Sequence, residues 1–264
     1  MEQESDTAGM GRPRVVVAVG ASVDGRITLR RDSRLMDKDV GRIWGSMWPP
    51  SPPGTAGSRS SVDLYQYQAV LEGSGSLVAD SAGPLTGLPT EYDEPTDVLY
   101  TDFLPEEVVE KPDVKWFTAV DSRGRVHWDR KSGGGFDALV LVARATPGPY
   151  LAYLRKQRIC YLVAGEERVD LAVALRRMHD RLGVTSVEST AGGGLNGALL
   201  RAGLVDEISL TLCPAAVGGL GTPTIFDGPE LADGQTPTRL RLISAQVESN
   251  GVIWLRYEVL REGT

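Results

Sequence analysis

The sequence predicts an α/β chain built on a mixed sheet with helices on its faces. Short apolar runs rich in β-branched residues recur at 15–19, 114–120, 138–143, 159–164, 184–187 and 208–212, each long enough for a buried strand. Stretches of helical period lie between several of them, notably around 171–182 and 195–202. Near the end, two further strand-like runs, 240–247 and 252–260, flank Ser249-Asn250-Gly251, a strong hairpin signal. Parallel strand–helix–strand units followed by an antiparallel pair make a mixed sheet with a C-terminal hairpin.

In order along the chain, 1–13 is a polar stretch read as a disordered tail. The first strand, 15–19, ends at Gly20, and Ala21-Ser22-Val23-Asp24-Gly25-Arg26-Ile27-Thr28 turns and re-enters extended chain. A polar stretch leads to Trp44, Trp48 and Pro49-Pro50-Ser51-Pro52-Pro53-Gly54, a loop near 45–61 that is either a lid or substrate wall, or a solvated insertion. Residues 63–70 form a helix or turn leading into Ala69-Val70-Leu71, followed by Gly73-Ser74-Gly75-Ser76. The strand at 114–120 ends at Asp121-Ser122-Arg123-Gly124. Asp170 is placed to cap a helix whose Leu171, Leu175, Met178 and Leu182 share one face, and Gly183 to close it. Leu195, Ala198, Leu199 and Ala202 face one side of the next helix, which Gly203 ends. Ile253, Leu255, Tyr257 and Val259 alternate onto one face of the last strand.

The chain has 264 residues, which at roughly 150 residues per domain lies between one large domain and two small ones. Because the pattern on both sides of the Pro-rich loop continues one architecture, a single domain over 14–262 is expected. Lys plus Arg number 28 against 35 Asp plus Glu, a net charge of −7, with no basic block. That balance argues against nucleic acid or an anionic membrane surface as partner. No apolar run approaches membrane-spanning length, so a cytoplasmic protein is expected. Cys160 and Cys213, both in apolar runs, are core residues by this reading. With His127 and His179 as the only imidazoles, neither a zinc site of the usual donor set nor a nucleophile–histidine machine is expected. Chemistry borrowed from a cofactor is the remaining route.

A strand, a glycine run and a helix in succession present bare backbone N–H groups to an anion. Gly192-Gly193-Gly194 before Leu195 has this context, although it lacks the GxGxxG spacing and the later acidic residue of a dinucleotide fingerprint. A tight turn alone would also account for these glycines. Gly73-Ser74-Gly75-Ser76 repeats the arrangement with hydroxyl donors added, and two such cradles suit a pyrophosphate. Ser122-Arg123 after a strand suits the 2′-phosphate of NADP, or is an ordinary turn. Asp24 either polarises and orients a substrate or stabilises the turn before Gly25.

These residues carry a resemblance. Ala69-Val70-Leu71-Glu72-Gly73-Ser74-Gly75-Ser76-Leu77-Val78-Ala79-Asp80 resembles the strand, Gly-x-Gly-Thr and Asp of the riboflavin-biosynthesis reductases, the RibD C-terminal domain family. Ser22-Val23-Asp24-Gly25 is similar to its Ser-x-Asp-Gly signature, and Asp121-Ser122-Arg123-Gly124-Arg125 to its strand-ending motif. The longest likeness runs from Gly193-Gly194-Leu195-Asn196-Gly197 through Gly203-Leu204-Val205-Asp206-Glu207 to Pro214, Gly218-Gly219, Thr222-Pro223 and Phe226-Asp227-Gly228. About residues 14–260 are covered.

The resemblance implies a dihydrofolate-reductase-like fold, a homodimer, and NADPH as hydride donor in reducing the ribosylamino group of a pyrimidine 5′-phosphate to ribitylamino. It also implies that Gly73, Ser74, Gly75 and Ser76 hold one side of the cofactor and that Gly192, Gly193, Gly194 and Leu195 hold the pyrophosphate. Ser122 and Arg123 would meet the 2′-phosphate, with Arg144 as helper, while Ser22, Asp24 and Asp80 would face the substrate, Asp24 as the catalytic candidate. Family members often carry Arg where this chain has Val78 and near Gly87-Leu88, and a Glu before the glycine pair where it has Thr190 and Ala191. Loss of bidentate phosphate partners bears on the substrate. A related aminopyrimidine or pterin therefore stands beside the riboflavin intermediate. The alternatives are a non-catalytic NADP-binding protein on the same fold, and a stand-alone dihydrofolate reductase using Asp37 or Asp39. No His-x-Glu with Pro-Cys-x-x-Cys is present, so the zinc deaminase module often fused to this reductase is not expected within these residues.

Overall fold

A computed structural model describes residues 11–50, 66–79, 81–88, 92, 95–129 and 131–261. Most of the expected tail, residues 51–61 of the Pro-rich loop, and Asp80 lie outside the described residues. In chain order the elements are β1 (Arg14–Ser22), α1 (Lys38–Ser46), β2 (Ala69–Gly73), α2 (Ser74–Leu77), α3 (Thr96–Leu99), α4 (Glu106–Val109), β3 (Lys115–Val120), β4 (Ser132–Gly133), β5 (Phe136–Val142), α5 (Gly148–Lys156), β6 (Cys160–Val163), α6 (Leu171–Leu182), β7 (Ser186–Ser189), α7 (Gly193–Arg201), β8 (Glu207–Cys213), β9 (Leu240–Val247) and β10 (Ile253–Val259). The chain divides into two compact units: Met1–Arg14, Tyr67–Ser74 and Ser81–Val187 form one, and Val15–Gln66, Gly75–Asp80 and Glu188–Thr264 the other.

In the first unit β2, β3, β5 and β6 run parallel as neighbours, with the short β4 antiparallel to the start of β5. β6 is buried throughout and β5 from its second residue on, which is why 138–142 and 160–163 appear in the sequence as apolar runs, while the buried Asp137 is paired with Lys111 at 2.6 Å. Their side chains form a core with Tyr150, Leu151 and Leu154 of α5. α5 carries no local sequence signal, since it opens on Pro147-Gly148-Pro149. In the structure Pro149 stands in the first turn, where its missing N–H costs nothing. α6 follows expectation at both ends: the Asp170 carboxylate accepts from Val173 N at 2.9 Å, and Gly183 closes the helix with φ +64°.

In the second unit β1 and β8 are parallel, β8 pairs antiparallel with β10, and β10 with β9. The hairpin expected around Asn250-Gly251 is therefore present, and each unit is α/β with a mixed sheet. The face of β10 that carries Ile253, Leu255, Tyr257 and Val259 is half-buried. Trp254, on the opposite face, is buried and donates its indole N–H to Ser209 Oγ at 2.8 Å, while a register shift between Arg256 and Tyr257 breaks the alternation. The stretch before the Pro-rich loop is not loop as far as Ser46, since α1 occupies it and buries Val40 and Trp44. Trp48 lies against Gly20, where a Cβ would come within 2.8 Å of the indole ring.

Candidate functional site

In the first unit the parallel register sets Gly73 opposite Val120 and Val120 opposite Leu141, so the loops after β2, β3 and β5 emerge together from the carboxyl ends of their strands. That is where open α/β sheets bind ligands. The loops are tied to one another. Thr146 Oγ1 donates to the Ser122 carbonyl at 2.9 Å, Ser122 Oγ accepts from Val169 N at 3.1 Å, and Arg144 N donates to the Gly165 carbonyl at 3.0 Å. Arg123 is exposed and makes no ion pair among the described residues, whereas the expected helper Arg144 lies 3.4 Å from Glu166. This unit thus brings Gly73, Ser74, Ser122 and Arg123 onto adjacent strand ends. It also brings in two residues that the sequence reading leaves without a role. Asp121, fully buried, accepts from Arg125 N at 2.7 Å and Val126 N at 2.9 Å, and Arg125 Nη2 donates to Ser74 Oγ at 2.7 Å. Their signal was in plain view, since both belong to the Asp-Ser-Arg-Gly-Arg motif.

In the second unit β1 delivers Ser22 and Asp24 to a loop knitted to residues 215–223. Asp24 accepts from Ser22 Oγ at 2.6 Å and Val217 N at 3.0 Å on one oxygen, and from Gly218 N at 2.7 Å on the other. Arg26 stands 3.7 Å away and donates Nη1 to the Thr222 carbonyl at 2.6 Å. These donors, led by the Ser22 hydroxyl, hold the Asp24 carboxyl well below the usual carboxylate range. It is an anionic anchor and has no proton to give near neutral pH. Asp37, the first carboxylate of the dihydrofolate-reductase alternative, is paired with Arg34 at 2.7 Å, and Asp39 with Arg42 at 3.4 Å. Arg34 also donates to the Leu77 carbonyl at 3.1 Å, which brings a guanidinium to the residue before Val78.

The glycine run opens α7. Gly192 stands at the N-cap with no side-chain cap, and its carbonyl accepts from Leu195 N and Asn196 N. The N–H groups of Gly193 and Gly194 head the helix and, as in any helix, have no intrahelical acceptor. The glycines differ in purpose. A Cβ on Gly193 or Gly197 would strike Asp227 or the Thr224 carbonyl within 2.5 Å, so those two permit close packing. A Cβ on Gly192 or Gly194 would meet nothing within 4 Å, so backbone on that side is open. Asn196, fully buried and also unassigned in the sequence reading, fixes the first turn by accepting from Ser189 Oγ at 2.7 Å and donating to the Ala191 carbonyl at 2.8 Å.

Cys160 and Cys213 are buried free thiols, as expected, and burial pushes the Cys160 thiol up to about 12. Among the described residues no group of three or more His, Cys, Asp or Glu is arranged to hold a metal, and no helix is long and apolar enough to cross a membrane.

Comparison with known proteins adds to this geometry. Residues 13–254 match the family model described as the RibD C-terminal domain. Over 220 residues the chain is 31% identical to a 2,5-diamino-6-ribosylamino-4(3H)-pyrimidinone 5′-phosphate reductase of Archaeoglobus fulgidus, covering 82% of this chain and 87% of that protein. A protein of the same name from Methanothermobacter thermautotrophicus is 37% identical over 101 residues, or 38% of this chain and 46% of that one. The riboflavin biosynthesis protein RibD of Escherichia coli is 28% identical over 213 residues, 79% of this chain and 50% of its own length. Among solved structures, a pyrimidine reductase-like protein from Corynebacterium diphtheriae superposes with a TM-score of 0.58 at 17% identity, covering 95% of this chain and 93% of that one. The Saccharomyces cerevisiae riboflavin biosynthesis reductase Rib7 gives 0.55 at 14% identity, covering 96% and 92%. At such identities the structures establish a shared fold.

Proposed function

This chain belongs to the RibD C-terminal domain family, and from that premise we propose that it is an NADPH-dependent reductase acting on a pyrimidine-type substrate. The substrate class follows the names of the archaeal relatives, which act on a ribosylaminopyrimidinone 5′-phosphate.

The observation that carries the cofactor assignment is Arg123. In a chain of net charge −7, an exposed guanidinium with no ion pair among the described residues stands at the carboxyl end of a parallel strand, next to Ser122. That donor set fits a phosphate monoester such as the one distinguishing NADPH from NADH. When bound, the nicotinamide supplies the hydride. The protein has then to hold the dinucleotide, orient the acceptor and admit one proton. In the first unit Ser74, Ser122 and Arg123 offer side-chain donors for a phosphate. The second unit, taken by itself, leaves the backbone of Gly192 and Gly194 open at the start of α7. Asp24, anionic near neutral pH, orients polar groups of the substrate and keeps residues 217–218 in place. The proton is delivered by another group or by water.

The reading is tested by titrating NADPH and NADH against the protein by nicotinamide fluorescence, with Arg123→Ala alongside. A lost charge-assisted contact weakens NADPH binding about tenfold and leaves NADH unaffected. Equal binding of both nucleotides by the unaltered protein, or no binding, refutes it. NADPH binding without oxidation in the presence of pyrimidine, pterin and imine substrates selects the non-catalytic alternative.

The proposed partner is a second copy of the chain. β9 pairs with β10 on one side, no strand is paired with its other edge among the described residues, and Leu242, Ile243 and Val247 are 54%, 46% and 76% exposed. An exposed apolar edge strand is a template for pairing with another chain.

A further inference from the structure

Arg125 is a buried cation, 4% exposed, within the first unit. Its direction is set by its own backbone. The Asp121 carboxylate accepts the N–H groups of both Arg125 and Val126, which curls residues 121–126 into a tight turn. From that turn the Nη2 of Arg125 reaches Ser74 Oγ at 2.7 Å, on the neighbouring strand end.

The consequence lies in the hydroxyl. A guanidinium only donates, whereas a serine oxygen has two lone pairs and one hydrogen. Ser74 must therefore accept from Arg125, and its own hydrogen is turned elsewhere. Among the described residues no acceptor takes that hydrogen. A polar hydrogen so nearly buried and left without a partner is costly unless something from outside meets it. Donation from a cation also polarises the O–H and strengthens what it donates.

We propose that Arg125 is a positioning residue for the cofactor: it locks the Ser74 hydroxyl so that the O–H points outward to an oxygen of the bound dinucleotide. This rests on the NADPH reading above. The exposed Arg123 recognises charge directly, while Arg125 acts through Ser74.

The test is a double-mutant cycle on NADPH binding, read by fluorescence titration, with Ser74→Ala, Arg125→Met, the pair together, and Arg125→Lys. Each single change weakens binding roughly five- to tenfold, since each removes one charge-assisted or polarised hydrogen bond. The pair together is no more than about twofold weaker than Arg125→Met alone, because both delete the same contact. Arg125→Lys restores part of the affinity, since an ammonium also donates to Oγ. In turnover the loss appears in KM for NADPH rather than in the rate at saturating NADPH. Multiplicative losses in the pair, or Ser74→Ala binding like the unaltered protein, overturn the proposal. Ser74→Ala removes a single oxygen, so it decides the matter even where Arg125→Met does not fold. If the unaltered protein fails to bind NADPH, the cofactor reading falls and this proposal with it. If it binds and all variants bind equally, only this proposal falls.

Discussion

Asp24 is anchored on both carboxylate oxygens by the loop it belongs to and the backbone it faces. Sequence spacing places an Asp after the first strand, and the structure gives its oxygens three hydrogen-bond donors together with Arg26 nearby. Its folded pKa is depressed, so the hold it exerts on the 217–218 backbone is complete above the ordinary carboxylate range and fades only as pH falls through the lower folded value. Amide exchange at Val217 and Gly218 should show constant protection between about pH 5 and 8 once corrected for the intrinsic rate. Asp24→Asn should raise exchange at both amides several-fold, because an amide offers a weaker acceptor on one side and a donor facing Gly218 or Val217 on the other. Unchanged protection in that variant would remove the anchoring role. Arg123 and Arg125 make a second lesson at this scale. Two residues apart in one motif, one is exposed and the other buried, and nothing in their spacing tells which is which.

The helices divide by how much of their reason is local. α6 was legible because its cap, its apolar stripe and its closing glycine are all local signals, and Asp170 and Gly183 perform as the pattern requires. α5 was not legible, because it begins with glycine and proline and owes its existence to the core that Tyr150, Leu151 and Leu154 enter. α7 lies between these cases. Its glycine run marks a backbone exposed to something, but only the folded chain separates glycines that admit Asp227 from glycines that stay open. That separation predicts opposite effects of one methyl group. Gly197→Ala puts a Cβ within 1.8 Å of the Asp227 carbonyl and should destabilise the protein by about 2 kcal/mol or more. Gly194→Ala meets nothing and gains helix propensity, so its stability should be equal or higher by up to ~1 kcal/mol. Urea unfolding of the two variants measures the contrast, and equal losses would show that the close approach at Gly197 does not matter.

At the scale of the molecule, the α/β class with mixed-sheet pairing is what the strand runs and the terminal hairpin foretold, and its dihydrofolate-reductase-like type is what the family resemblance implied. The least foreseen surface is β9. By composition Leu240, Leu242, Ile243 and Val247 belong to a core, yet all four are exposed. If a second copy covers them, as proposed, Leu242→Lys with Val247→Lys should convert a dimer to a monomer in sedimentation velocity with little change in secondary structure. A monomer in the unaltered protein would refute the pairing. What the sequence by itself determined were the features written in neighbouring residues: β-branched runs, helix caps, the Asn-Gly turn, and glycine and serine clusters at strand ends. The tertiary structure alone decided which arginine is buried against Ser74, which face of β10 carries Trp254, and which strand keeps its apolar side chains in solvent. Each depends on what residues far along the chain bring alongside. Burial and ionic partnership belong to the meeting of segments, and a linear pattern records only one segment at a time.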